Sequence, residues 1–161
     1  MNDKLYFRFI AILLILFLLL SCRNEITPPV SLTNLETRFL SGYISANLMP
    51  IIPPDPINCQ IVLLAKNKSS SETLSGLHIL QAEVYRDSGS QRLGTISFST
   101  DWDGRLAPQE QDTVRLTKVV AESSLFTPPC NKYVYLNLLI KSGLTDSTTT
   151  KIDSLLFTCV F

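Results

Sequence analysis

Tyr133-Val134-Tyr135-Leu136-Asn137-Leu138-Leu139-Ile140-Lys141 and, after a polar interval, Ile152-Asp153-Ser154-Leu155-Leu156-Phe157-Thr158-Cys159-Val160-Phe161 read as two β-strands. In the first, Val134, Leu136, Leu138 and Ile140 share one parity. In the second, Leu155, Phe157, Cys159 and Phe161 do so. Alternation with a period of two places one set of side chains on the buried face of a sheet. The interval of residues 142–149 is Ser, Thr, Gly and Asp around one Leu, a composition suited to a long hairpin connection.

Working backward from this pair, short apolar-alternating runs recur with turn signals between them. Residues 38–48 put Leu40, Ile44, Ala46 and Leu48 on one parity around Gly42. Four prolines in residues 50–56 then exclude a central strand. Residues 58–67 are nearly all apolar, with Cys59, Ile61, Leu63 and Ala65 on one face. In residues 76–86 the apolar parity shifts from Leu77/Ile79 to Leu80/Ala82/Val84, which one extra residue would restore. A β-bulge is expected near Ile79 or Leu80. Residues 92–100, with Ile96 and Phe98 inward, and residues 112–120, with Val114 and Leu116 inward, complete seven strands. No segment carries a helical period. The fold class expected is all-β, an antiparallel β-sandwich of about seven strands over residues 37–161.

Ahead of this domain the chain changes character. Lys4 and Arg8 precede an apolar run from about Phe9 that ends in Leu18-Leu19-Leu20-Ser21-Cys22. The positive start, the short apolar core and the small residue before Cys22 resemble a bacterial lipoprotein signal with its lipobox. That resemblance implies cleavage of residues 1–21, acylation of Cys22, and no transmembrane helix. Residues 22–36, with Pro28, Pro29 and scattered Ser, Thr and Asn, read as a flexible tether. The expected location is a bacterial cell envelope. Arg23 in place of an acidic retention residue favours the outer membrane where the host has one.

Removing the first 21 of 161 residues leaves 12 basic and 13 acidic side chains. So even a balance gives no electrostatic reason to expect nucleic acid. With Cys22 assigned to lipid, three cysteines remain in an oxidising compartment, which predicts one disulfide and one leftover thiol. Pairing the last two strands about Leu144/Thr145 sets Cys130 opposite Cys159, within bridging distance. Cys59 to Cys130 is the alternative, since all three cysteines fall at one end of an up-and-down sandwich.

Other chemistry is sparse. Asp101-Trp102-Asp103-Gly104 holds two carboxylates but lacks the further ligands of a calcium loop, and reads as a tight turn. Asp101, Trp102 and Asp103 form a candidate binding loop in which the one tryptophan could hold a sugar or a protein. No C-x-x-C spacing exists and His78 is the single histidine, so no metal site and no cofactor is expected. No serine stands in a nucleophile motif and no glycine loop could cradle phosphate. Tyr133 and Tyr135 share a strip with Leu139 on the face opposite Val134. Asn67-Lys68-Ser69 fits a glycosylation pattern but reads as a turn.

Two stretches carry a second resemblance. Leu63-Leu64-Ala65-Lys66-Asn67-Lys68-Ser69 followed by Leu74-Ser75-Gly76-Leu77, and Leu106-Ala107-Pro108-Gln109-Glu110-Gln111-Asp112-Thr113-Val114, look like signatures of bacterial CARDB-like immunoglobulin-like domains. Gln109 stands where that group has Gly. The resemblance covers about residues 58–161, implies an immunoglobulin-like sandwich, and carries over no catalytic residue. The expectation is a lipid-anchored, non-catalytic envelope protein that binds protein or glycan. A structural accessory subunit of an envelope assembly or secretion complex is the alternative.

Overall fold

The computed structural model describes residues 32–50, 55–86, 91–142 and 146–161. Expectations for the signal segment, Cys22 and residues 22–31 of the tether fall outside that set. After a 3-10 turn at Leu32–Asn34 come seven strands: β1 Leu35–Asn47, β2 Ile57–Asn67, β3 Leu77–Arg86, β4 Gln91–Ser99, β5 Gln111–Ala121, β6 Lys132–Ser142 and β7 Asp146–Val160. A second 3-10 turn, Ser123–Phe126, precedes β6. β1 starts at Leu35, ahead of the boundary expected at residue 37. Leu32 and Leu35 pack on the core.

The strands close into a ring in the order β1-β2-β5-β4-β3-β6-β7. Six neighbouring pairs are antiparallel. The seventh departs from the all-antiparallel expectation: β1 runs parallel to β7, from Ile44 beside Phe157 to Asn47 beside Val160. That seam and the one between β4 and β5 each join four residues, far fewer than the long ladders of β1 with β2 or β6 with β7.

Inside the ring lies one apolar core in which Ile44, Ile61, Leu63, Ile96, Leu116, Leu136, Leu138 and Phe157 are inaccessible to solvent. Inward parity holds as expected for β2, β4, β5 and β6. The bulge expected in β3 is present. The register to β6 shifts between Ile79 and Gln81, and Leu80 is turned outward.

Two inward assignments are corrected. Leu40 is exposed because β1 also carries a bulge, between Phe39 and Ser41, which turns Phe39 to the core instead. Phe161 lies beyond the end of β7 and is 78% exposed. β7 has its own irregularity. Val134 faces Leu155 but Leu136 faces Ile152, so Asp153 and Ser154 together oppose Tyr135, and Ser154 takes φ 60°. The extra residue lets Ile152 and Leu155, of opposite parity, both point inward.

Candidate functional site

At one end of the barrel Cys130 and Cys159 form a disulfide with Cα atoms 5.4 Å apart. The ladder beside it pairs Lys132 with Phe157 and Tyr133 with Leu156, and that register continued outward sets Cys130 against Cys159. Cys59 is the free, buried thiol. Burial pushes its pKa up to about 12, although Lys118 pulls the other way, so it is a small hydrophobe and a poor nucleophile. The same end is tied by Asp55. One carboxylate oxygen accepts the Ile57 N–H at 3.1 Å; the other accepts the Ala121 N–H at 3.0 Å and the Lys118 ammonium at 2.8 Å. Burial pushes the Asp55 pKa up, but these donors together hold it below the ordinary value.

The opposite end holds the two resemblance motifs, and there they meet. Asn67 is fully buried. Its side-chain NH2 is shared among the carbonyls of Glu72, Leu106 and Ala107, and its oxygen accepts the Ser69 N–H. Gln109 takes φ 62°, the conformation that glycine adopts without strain, and its side-chain amide donates to the carbonyls of Lys68 and Ser69. Glu110 accepts the Ala107 N–H at 2.6 Å. Two turns some 40 residues apart are one hydrogen-bonded unit, and Asn67 is its centre rather than a surface acceptor.

The Asp101–Asp103 loop sits at this same end, held by short-range side-chain hydrogen bonds. Thr100 Oγ1 accepts the Trp102 N–H and Asp103 accepts the Arg105 N–H. Gly104 takes φ 72°, where an added Cβ would fall 2.2 Å from the Leu77 carbonyl oxygen. Trp102 is half-buried against the core and its indole N–H finds no partner among the described residues. The ring is thus committed to packing, and only the two carboxylates project. No group of three or more His, Cys, Asp or Glu side chains among the described residues is placed to hold a metal. His78 is exposed on β3 opposite Lys141. Nothing among the described residues gives it a nucleophile or an orienting acid.

The outer faces of the strands are more informative. Tyr135 stacks on Tyr85 with ring centroids 5.1 Å apart, and the Lys151 ammonium lies 4.5 Å from the Tyr135 ring centre. Tyr85 donates its hydroxyl to Glu83. That bond is the main reason its pKa lies above the ordinary value, with partial desolvation and the Glu83 charge adding to it. Glu83 pairs with Arg92, which also bonds Glu122. These aromatics are engaged with their own neighbours.

Tyr133 is not. It lies directly opposite Leu156 on β7, and the parallel seam, extended one step back from the Ile44–Phe157 pair, sets Leu156 next to Tyr43. Tyr43, Leu156 and Tyr133 are 53%, 42% and 57% exposed. They form a row across β1, β7 and β6, with exposed Leu40 further along β1. Sequence parity found Tyr133 but missed Tyr43 and Leu156. The row exists only because the barrel closes through β1 and β7, a contact with no local sequence signal.

No protein-family model matches this chain, and no curated protein matches it.

Proposed function

We propose that the chain is a lipid-anchored, non-catalytic bacterial envelope protein that presents an immunoglobulin-like β-sandwich domain to a protein partner. The observation that carries the binding reading is the row Tyr43, Leu156 and Tyr133. Tyrosine is enriched at the centres of protein interfaces because it covers much area at low entropic cost, and a leucine between two such rings leaves an apolar strip open to water. A glycan is the less favoured ligand. In the stacked pair Tyr85 and Tyr135, the rings cover one face of each other and Lys151 lies over Tyr135.

The sandwich reading rests on the two short seams, which divide the ring into β1-β2-β5 and β4-β3-β6-β7. The Asn67 unit supports the CARDB-like resemblance, since both motif stretches meet in it. The anchor reading rests on Leu19-Leu20-Ser21-Cys22. An accessory subunit working by strand addition is the weaker alternative. The stretch of β5 without a strand neighbour on one side carries Asp112, whose side chain already accepts the Thr113 N–H.

Membranes of cells fed labelled palmitate test the anchor: wild type should carry the label and Cys22→Ala should lose both label and membrane association. Extracted protein tests the face. Tyr43→Ser/Tyr133→Ser should fold like wild type yet lose its co-purifying partner, and retention of that partner would refute the assignment of the strip.

A further inference from the structure

We propose that the Cys130–Cys159 disulfide is a redox latch on the barrel seam: opening it releases residues 158–161 from β1 while the rest of the domain stays folded. The inference rests on what holds that segment. On its β6 side the ladder ends at Lys132 beside Phe157, with Asn131 N–H donating to the Phe157 carbonyl at 2.8 Å. Beyond Phe157 the tie to the β6 side, among the described residues, is the disulfide itself. On the other side lies β1, through Ser45 beside Thr158, Ala46 beside Cys159 and Asn47 beside Val160, and the Leu48 N–H donates to the Val160 carbonyl at 2.8 Å.

Burial adds little to that hold. Phe157 is fully buried and anchors the strand, whereas Thr158 is exposed, Val160 is 50% exposed and Phe161 more so. A parallel half-ladder of this length, on a strand with one neighbour, is a weak attachment. Neither half of the bridge is fully buried, so a reductant can reach it. Released, the segment uncovers the β1 edge at Leu48, whose N–H loses the Val160 carbonyl and is free to pair with another strand, while the Asn47 N–H stays on the Pro56 carbonyl. Cys59 cannot exchange into the bridge while the seam is closed, because its thiol is buried and protonated.

The reductant is a dithiol. Its thiolate attacks one sulfur of the bridge, and its second thiol then displaces the other. The Cys130–Cys159 bond is replaced by two S–H groups, while the dithiol loses two electrons and two protons to become a disulfide.

Amide hydrogen exchange on the full chain in detergent, oxidised and with excess dithiothreitol, tests the latch. Cys130→Ser/Cys159→Ser serves as a form that cannot re-form the bridge. Reduction and the double substitution should each speed exchange at Leu48 and at residues 158–160 at least tenfold. Amides of Leu63, Leu116 and Leu138 should lose only the protection that the lower global stability costs and stay far slower than those of the seam in both. Unchanged exchange at Leu48 would overturn the proposal, because the seam would then hold without the bridge. Loss of protection throughout β2, β5 and β6 would overturn it equally, because the bridge would then support the whole fold.

Discussion

Asn67 does more for this fold than any other polar side chain described. Its buried amide donates to three carbonyls from two distant turns, so Asn67→Ala removes the side chain that ties them together. The expected cost is about 1–3 kcal/mol, the typical range for losing the hydrogen bonds of one buried polar group. Urea denaturation measures it. The position was legible as a turn, but its role was not, because its partners at Leu106 and Ala107 lie some 40 residues on. Gly104→Ala should be comparably harmful, since a methyl group there meets the Leu77 carbonyl in a backbone conformation that alanine avoids. Asp55 adds a pH dependence. Its folded-state pKa is depressed, so its contribution is complete above the ordinary carboxylate range and is lost as pH falls through the folded value. Asp55→Asn should therefore lower stability at pH 7 by about 1–3 kcal/mol and by much less at pH 2, read from parallel denaturation curves.

Among the strands, parity reading worked where a bulge broke the pattern visibly and failed where it did not. In β3 the apolar residues change parity at Leu80, so the irregularity shows in the sequence. In β1, Leu40 falls in step with Ile44 and Ala46, and the bulge that turns it outward leaves no trace. The start of β7 was hidden for another reason. Ser147, Thr148 and Thr149 read as loop by polarity, yet threonine is β-branched and suits a pleated strand, and β7 begins at Asp146. The Cys130–Cys159 pairing was expected from a hairpin centred on Leu144/Thr145, a register that holds only on the disulfide side of β7: nearer the turn, where Ser142 lies beside Asp146, the ladder is one residue out of step, and the bulge at Asp153 and Ser154 makes up the difference. Closing a loop with a sequence separation of 29 removes denatured-state entropy equivalent to about 3–4 kcal/mol. Reduction should lower the melting temperature by on the order of 10 °C while leaving the protein folded at room temperature.

On the scale of the whole molecule, an all-β class and seven strands follow from alternation and turn composition alone. Closure of the ring does not, because the parallel β1–β7 seam joins the two ends of the domain without any local signature. That closure creates the Tyr43, Leu156 and Tyr133 row, and with it the proposed partner face. Photo-cross-linking in native membranes tests that face most directly, with benzoylphenylalanine placed in turn at Tyr43, Tyr133 and, on an exposed position of β5, Thr113. The expected result is one discrete adduct from Tyr43 and Tyr133, absent from Thr113 and abolished by Leu156→Asp. Adducts of equal yield from all three positions, or none from Tyr43 and Tyr133, would contradict it.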